Sequence, residues 1–350
     1  MAAVLREKQL LFIGFFISFI TVVLSARHHQ QRKLYTPPTL KNLNDNFPRQ
    51  TFDQAFSPYF GGSNLQVRDK GASVDISLNK YTGSGFISQN RYHYGFFSAS
   101  IKFPAGDYSA GVVLAFYLSN QDVYPRSHDE IDFEFLGHAK RKPWNLQTNV
   151  YGNGSVKYHG REEKIRLWFD PTKQFHTYTI IWNSNHIVFL VDNIPIREVT
   201  YTKTISPAYP SKPMTLYSTI WDGSPWATDG GKYKVDYKLS PFVASFEKLQ
   251  VEGCIWNNRT KSSLAPSPSP TMSPAQSPSP SPGTPSSAPL FSCTKSGGNG
   301  KTDSVEGEDV IRLSEEQRKA MAEIRKEYLT YSYCKDKNRF PVLPPECNSQ

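Results

Sequence analysis

Short apolar runs, broken by glycine, asparagine, aspartate and proline, follow one another from about Phe52 to Val251. Apolar and polar residues alternate in Ser73–Leu78 and, more loosely, in Gly95–Phe103, which is the two-residue period of a half-buried strand. Two further β-rich runs, Tyr178–Trp182 and Ile187–Val191, are separated by a segment typical of a hairpin turn. About a dozen such runs predict an all-β domain of two sheets packed face to face.

The N-terminus is predicted to be a cleaved secretory signal over residues 1–26. Basic residues precede an apolar run from Leu10 to Leu24, and two small residues follow it. A signal anchor is the alternative, but the run has only about 15 residues, which is short for a membrane span. We therefore expect the mature chain to begin near Arg27, with a leader over residues 27–51 before a sandwich at 52–253.

Residues 254–293 form a predicted disordered insertion. Repeated Ser-Pro dipeptides with almost no apolar side chains cannot offset the entropy of ordering, so an extended segment is expected, whose prolines are candidates for hydroxylation and glycosylation. A C-terminal extension over 294–350 contains the one convincing helical pattern, opened by a capping box at Ser314 and Gln317. Its apolar positions near helical spacing are Leu313, Ala320, Met321, Ile324 and Tyr328.

The chain has 40 Lys and Arg against 31 Asp and Glu, a formal net charge of +9. The basic residues form no stripe and no nucleic-acid-binding motif occurs, so nucleic acid is not expected as a partner. We interpret the charge as an affinity for an acidic matrix.

The four cysteines lie at positions 254, 293, 334 and 347. An even number in a secreted chain favours two disulfides, for which three pairings exist. Pairing Cys254 with Cys293 and Cys334 with Cys347 closes the smallest loops, and we predict this pairing. A zinc site is the alternative, but the Cys-x-x-Cys spacing that would support it does not occur.

The candidate chemistry lies in His128-Asp-Glu-Ile-Asp-Phe-Glu-Phe-Leu-Gly137. On a strand, Glu130, Asp132 and Glu134 share one face with His128, while the apolar residues between them face the core. A solvated charged face is the plain structural interpretation, but three acids without an intervening base repel one another. Crowding raises the pKa of at least one carboxyl, as a general acid requires, so we favour catalysis. A calcium site is the other alternative, although the segment lacks the loop and turn glycine of such sites.

The spacing of the two glutamates bears on the reaction type. Their Cβ atoms lie about 13 Å apart on a straight strand. Side chains that reach toward each other approach the ~5–5.5 Å of a retaining glycosidase, and splayed side chains reach the ~6.5–9.5 Å of an inverting one. The spacing favours the retaining mechanism but leaves the inverting mechanism open. Asp132, which lies between the glutamates, is suited to hydrogen-bond Glu130 and hold its rotamer.

The ten-residue segment resembles the active-site signature of the xyloglucan endotransglucosylase/hydrolases of glycoside hydrolase family 16. The resemblance extends from roughly Tyr59 to Gln350, apart from the insertion. Further matching stretches are Gly83–Phe86, Ala115–Leu118, Gln147–Asn149, Leu167–Pro171, Val191–Arg197, Trp226–Gly231 and Asp336–Pro341. The resemblance implies a concanavalin-like β-jelly-roll with an open cleft, and no metal or organic cofactor.

The resemblance also implies residue roles. Glu130 matches the nucleophile that forms the glycosyl-enzyme, Asp132 its helper, and Glu134 the acid that later acts as base. The positions that match substrate contacts are Gln147, Thr148, Asn149, Gly160, Arg161, Glu162, Trp226, Ala227, Gly231 and Arg339, the last four on the acceptor side. Without the resemblance, these would be ordinary polar strand positions, a solvated charge run, a core tryptophan and a surface arginine.

The chain departs from the family pattern in two places. Where the family commonly has an N-glycosylation sequon, just after the signature, this chain has His138-Ala-Lys-Arg141. The predicted glycosylation sites are instead Asn153 and Asn258, each followed by a sequon. The Pro/Ser insertion lengthens the loop between Cys254 and Cys293, which weakens that pairing.

We therefore predict a secreted, monomeric cell-wall enzyme that cuts xyloglucan and transfers the new end to another xyloglucan chain. The alternatives are hydrolysis, in which water is the acceptor, and a lectin-like wall-binding module without catalysis. Because xyloglucan is neutral, the basic charge is expected to concern the acidic matrix and not the substrate.

Overall fold

The structure is a computed structural model that describes residues 35–140, 142–155, 160–256, 293–294, 310 and 312–349. The predicted signal peptide, most of the Pro/Ser insertion and Asn258 lie outside these residues. The described residues from Pro38 onward form one compact unit. Among the helices of the described ranges, none has the length and apolarity to cross a membrane.

The chain folds mainly into antiparallel strands. They are β1 (Phe56–Phe60), β2 (Leu65–Arg68), β3 (Ser73–Leu78), β4 (Ser84–Lys102), β5 (Val112–Ser119), β6 (Glu130–Leu136), β7 (Asn145–Tyr151), β8 (Glu163–Arg166), β9 (His176–Trp182), β10 (His186–Val191), β11 (Ile194–Thr200), β12 (Met214–Asp222), β13 (Phe242–Trp256), β14 (Cys293–Thr294) and β15 (Leu329–Ser332). The main ladder runs in the order β11-β10-β9-β4-β12-β5-β6-β7-β8-β15, and β13 pairs with β3, β4 and β14.

Helices are short or peripheral. Within the described residues, the α-helices are α1 (Phe52–Ala55) and α2 (Glu315–Tyr328). Single 3-10 segments are Leu43–Asn46, Gly62–Asn64, Asp69–Gly71, Asn153–Ser155, Ser206–Ala208, Tyr237–Leu239, Tyr333–Lys335 and Pro345–Ser349. The all-β fold class with a C-terminal helix is thus confirmed, and the one-turn helix α1 was not predicted.

Strand β4 joins two layers, because its halves pair with different partners. Residues 84–92 pair with β12, and residues 95–101 pair with β9. Between the halves, Tyr94 has φ of 73°, and a Cβ on Gly95 would lie 2.7 Å from the Glu252 carbonyl oxygen. The two sheets expected from the sequence are therefore one continuous hydrogen-bonded ladder that changes direction within β4.

The core lies between these layers. Ile131, Phe133 and Phe135 of β6 are fully buried, as their alternation predicts. The ring of Phe133 lies 5.1 Å from Phe189 of β10 and 5.9 Å from Tyr178 of β9. Burial of such side chains contributes on the order of 1.5–3 kcal/mol each. Strand β6 is held by its apolar face, so its acidic face is directed away from this core.

Two peripheral segments cover the outside of the β9–β10 layer. Leu43 and Phe47, from the predicted leader, and Leu313, which precedes α2, share one buried cluster with Phe96 and Ile181. The predicted capping box is confirmed, because Ser314 Oγ accepts from Gln317 N at 3.2 Å and Gln317 Oε1 accepts from Ser314 N at 2.8 Å.

The C-terminal extension is attached to the main ladder. Strand β15 pairs with β8, and the predicted disulfide between Cys334 and Cys347 is confirmed. Cys254 is also disulfide-bonded. The backbone of Cys293 pairs with that of Trp256, but its side chain lies outside the described atoms, so the pairing of Cys254 with Cys293 stays a prediction.

Candidate active site

Glu130, Asp132 and Glu134 occupy alternate positions of β6, so their side chains share its outward face. The strand register extends this face sideways. On β7 the directly opposite residues are Tyr151, Asn149 and Gln147, and on β5 they are Ser119, Tyr117 and Ala115. Because directly opposed residues project to the same side of a sheet, these residues surround the three acids.

Burial sets the protonation of the three acids. Desolvation raises the pKa of Glu130 and of Glu134 to about 7. Both side chains are nevertheless only half-buried, so their carboxyls can be reached from the open face. Burial, followed by the charges of Glu130 and Glu134, raises the pKa of Asp132 well above its usual range. Burial and the neighbouring charges therefore favour the protonated form of Asp132.

Both glutamates also accept hydrogen bonds, which favour their charged forms. Bonds from Ser119 and from Asp132 oppose the desolvation of Glu130 and favour its carboxylate. The amide of Gln147 donates to Glu134 Oε2 at 2.5 Å. A neutral Asp132 that donates to Glu130 is the arrangement predicted for the helper residue. Because the two glutamates repel each other when both are charged, one can be a carboxylate while the other keeps its proton.

The loop between β7 and β8 meets the C-terminal extension next to this row. Arg339 donates two hydrogen bonds to Glu162, at 2.7 and 3.0 Å. The charge of Glu162 raises the pKa of Glu134, so it acts at the candidate site. A Cβ on Gly160 would lie 2.7 Å from Glu162 Oε1 and 3.0 Å from Asn149 Oδ1, so Gly160 lets the loop pass close to Asn149.

Two of the predicted contact residues turn away from the acids. Thr148 is fully buried on the opposite face of β7, where its hydroxyl accepts from Arg197 at 3.0 Å. The guanidinium of Arg161 is buried in an ion pair with Glu346 at 2.6 Å, although the Arg161 backbone N–H donates to Asn149 Oδ1 at 2.7 Å. The fold therefore does not bring the side chains of Thr148 and Arg161 to the acidic face.

Trp226, Ala227 and Gly231 lie in the loop that follows β12. Trp226 is 37 % exposed and its ring lies 6.0 Å from that of Trp221. Ala227 is buried against Val113 and Leu136, the latter at the end of β6. Gly231 N donates to Thr228 O, and the Thr228 hydroxyl donates to Gly137 O at 2.9 Å. This loop is thus fixed to the end of β6, with the indole of Trp226 exposed.

Tyr117 and Tyr217 are site residues that were not singled out in the sequence. Tyr117 faces Asp132 across the β5–β6 ladder and stacks on Tyr217 at 5.1 Å. Burial, and then the charge of Glu130, raise the pKa of Tyr117 well above its usual range, so it remains a phenol. Tyr217 in turn contacts the exposed Tyr59 at 5.5 Å. The alternation in Ala115–Leu118 could have assigned Tyr117 to one face of its strand. It could not have shown which residues of the neighbouring strands lie beside Tyr117, because that depends on strand order.

The predicted glycosylation site Asn153 is exposed in a short turn after β7. Its backbone N–H donates to Asp129 Oδ1 at 2.7 Å. The hydroxyl of Ser155 in the same sequon is buried and accepts from Arg161 at 3.3 Å. Asn153 remains a prediction as a glycan site.

Comparison with protein families gives two matches. The model for glycosyl hydrolases family 16 matches residues 52–239, and that for the xyloglucan endo-transglycosylase C-terminus matches residues 301–347. Among curated proteins of Arabidopsis thaliana, the probable xyloglucan endotransglucosylase/hydrolase protein 30 is 46 % identical over 85 % of this chain and 77 % of its own length. Xyloglucan endotransglucosylase/hydrolase protein 31 is 37 % identical over 95 % of this chain and 98 % of its own length.

Solved structures give more distant matches. A prokaryotic β-1,3-1,4-glucanase (lichenase) derived from a mouse hindgut metagenome is 23 % identical, covering 58 % of this chain and 96 % of its own, with a TM-score of 0.46. A Crh5 transglycosylase in complex with NAG is 24 % identical, covering 58 % of this chain and 79 % of its own, with a TM-score of 0.46.

Proposed function

Because this chain belongs to glycosyl hydrolase family 16 and, within it, to the xyloglucan endotransglucosylase/hydrolases, we propose that it cleaves the β-1,4-glucan backbone of xyloglucan with retention and joins the new end to another xyloglucan chain. The observation that carries the assignment is the row of Glu130, Asp132 and Glu134 on one accessible face of β6, with the pKa of both glutamates raised to about 7.

The first half-reaction uses one proton and one carboxylate. Glu134, which keeps its proton below about pH 7, protonates the glycosidic oxygen of the leaving chain. Glu130 attacks the anomeric carbon as a carboxylate and forms a glycosyl ester. Hydrogen bonds from Ser119 and Asp132 favour the charged form of Glu130, and Asp132 also restricts its rotamer. The leaving chain departs with a new free 4-hydroxyl.

The second half-reaction reverses these roles. Glu134, now a carboxylate, removes the proton from the 4-hydroxyl of an incoming glucan, whose oxygen attacks the anomeric carbon and releases Glu130. An acceptor held against the exposed indole of Trp226 and the extension that carries Arg339 would out-compete water by proximity. Hydrolysis, with water as acceptor, uses the same residues and is the second candidate.

The test is transfer between substrates. Xyloglucan polymer and a labelled xyloglucan oligosaccharide are incubated with the protein, and label in the polymer and new reducing ends are measured. Transfer predicts incorporation of label without a matching rise in reducing ends. Rising reducing ends without incorporation would instead establish the hydrolase. If Glu130→Gln binds xyloglucan and the wild type shows no turnover of either kind, the lectin-like alternative is correct.

The proposed setting is the cell wall outside the plasma membrane. The proposal includes a cleaved signal over residues 1–26 and a monomeric enzyme. It also includes neutral xyloglucan as both donor and acceptor, within an acidic surrounding matrix. We also propose residues 52–253 as the catalytic sandwich and residues 294–350 as its acceptor-side extension. Support for the extension comes from the pairing of β15 with β8 and from the Arg339–Glu162 contact. Sequencing the N-terminus of wall-extracted protein, expected near Arg27, tests the signal.

A further inference from the structure

A pocket of about 390 Å³ lies on the outer face of the layer formed by β9, β4 and β13. Thr177, which lines it, precedes Tyr178 on β9, and Tyr178 packs inward against Phe133 of β6 at 5.9 Å. Alternation along β9 therefore directs Thr177 away from the core. Because the catalytic acids lie on the opposite face of β6 from Phe133, this outer pocket and the acidic row are on opposite sides of the sandwich.

The floor of the outer pocket is polar and already hydrogen-bonded. The hydroxyls of Ser100 and Thr177 lie 3.0 Å apart. Asp192 accepts from Thr177 N at 2.8 Å and bonds His176 Nδ1 at 2.6 Å, so both of its carboxylate oxygens have partners. A floor with these bonds satisfied is preformed, as ligand pockets usually are.

Residues 38–49 form one wall, which is firmly attached. Asn44 donates to Ser98 at 2.7 Å and to Gln250 at 2.6 Å. Leu43 and Phe47 on either side of Asn44 are buried in the adjoining apolar cluster. The pocket therefore does not depend on a loop folding over a ligand.

Two cations, Arg49 and Lys248, face this pocket, and among the described residues neither is held in a buried ion pair. Arg49 is exposed and has no hydrogen bond or ion pair with any residue in the described ranges. Lys248 lies at a bulge in β13 with φ of 53°, and its exposed amino group forms an ion pair with the half-buried Glu247 at 3.5 Å. Water screens an ion pair at the surface, so it holds Lys248 only weakly. The remaining acid at the rim, Asp45, accepts from Asn42 at 2.9 Å. A left-handed backbone at a lysine is costly and is a pointer to function.

We propose that the outer pocket binds a uronic acid residue of an acidic polysaccharide. Arg49 and Lys248 hold the sugar carboxylate, for which a guanidinium is well suited because it can donate two parallel hydrogen bonds. Asn42 and Thr39, which also line the pocket, offer amide and hydroxyl groups to the sugar hydroxyls.

The catalytic face offers no excess of positive charge to an acidic chain. Around β6, Glu134 and Asp132 hold protons, and the charged acids Glu130 and Glu162 offset the neighbouring cations Lys164 and Arg339. The net charge of +9 therefore needs another surface to act on an acidic matrix. Binding on the opposite side leaves the catalytic face open to neutral glucan, so this inference goes beyond the proposed reaction.

The test is titration calorimetry of the full chain with trigalacturonate at low ionic strength, where surface electrostatics are least screened. We expect binding to the wild type, at least about tenfold weaker binding by the double variant Arg49→Gln/Lys248→Gln, and no binding of the fully methyl-esterified trisaccharide. The matched control, Lys203→Gln/Lys326→Gln, loses the same charge from exposed lysines that do not line the pocket and should bind like the wild type.

Several outcomes would overturn the proposal. Equal weakening in both double variants would mean diffuse electrostatic attraction, and equal binding of the methyl ester would remove the carboxylate from recognition. Displacement of trigalacturonate by an equal concentration of inorganic phosphate would make the pocket a general anion site. Xyloglucan transfer should be unchanged in Arg49→Gln/Lys248→Gln. Absence of transfer by the wild type would contradict the proposed function without touching this inference.

Discussion

Gln147 on β7 lies directly opposite Glu134 on β6, and its amide nitrogen donates to Glu134 Oε2 at 2.5 Å. Burial and the charges of Glu130 and Glu162 raise the pKa of Glu134, and the bond from Gln147 lowers it. The raising effects are larger, so the net pKa is about 7. The proton on the candidate acid is therefore controlled by two strands and a loop that meet only in the folded protein.

Replacing either glutamate should remove turnover. Glu130→Gln loses the attacking carboxylate, and Glu134→Gln loses the proton donor, so each should lower kcat for xyloglucan by on the order of 10³-fold or more. Circular dichroism and the Tm should stay close to the wild type, because both side chains are half-exposed at the open face. Glu323→Gln on α2, an exposed position, is the matched control. Full activity of Glu130→Gln would refute the nucleophile assignment.

The pH dependence of kcat/KM should show the proton of Glu134. The acid must be protonated in the first step, so kcat/KM should fall as the pH rises through about 7. Glu162→Gln removes a negative charge that raises this pKa, so the alkaline limb should move to lower pH. Gln147→Met removes a bond that lowers the pKa, so the limb should move to higher pH. Limbs that do not move in opposite directions would mean that another group controls this ionisation.

Glu163 should be important for stability rather than for chemistry. Burial alone would raise its pKa, but Arg197 and Arg325 outweigh burial, and the pKa of Glu163 is lowered. Glu163→Gln leaves buried charges without their partner and should lower the free energy of unfolding by about 3–5 kcal/mol. Urea unfolding at pH 6 measures this.

The sign of the pH effect at Glu163 provides a second check. A folded-state pKa below the unfolded value of about 4.3 contributes stability above that pH, and the contribution is lost as the pH falls through the folded pKa. The gap between wild type and Glu163→Gln should thus be full at pH 6 and narrow below about pH 4. A gap that is independent of pH over this range would contradict the ion-pair explanation.

Trp226 should determine the choice of acceptor. Its indole is exposed in a loop fixed to the end of β6, and sugar rings pack on such surfaces. Trp226→Ala should weaken acceptor binding, by about tenfold in the KM for the labelled oligosaccharide, and raise the share of hydrolysis. Trp226→Phe, which keeps an aromatic face, should restore most of the transfer. An unchanged ratio of transfer to hydrolysis in Trp226→Ala would place the acceptor elsewhere.

The sequence by itself determined the chemistry of the central strand. The alternation of Glu130, Asp132 and Glu134 with apolar residues required one acidic and one buried face, because side chains on a strand alternate with a period of two. The capping box at Ser314 likewise fixed the start of α2, since its hydrogen bonds join residues three positions apart. Such local features depend on neighbours in the chain and could be predicted without the fold.

Only the tertiary structure decided what meets that strand. The neighbours of Asp132, which are Tyr117 and Asn149, come from strand order and register, and the side chains of Thr148 and Arg161 turned out to be bound away from the acids. The contact of Arg339 with Glu162 joins residues separated by 177 positions. Contacts of this kind depend on how the whole ladder folds over its core, and no short-range pattern encodes that geometry.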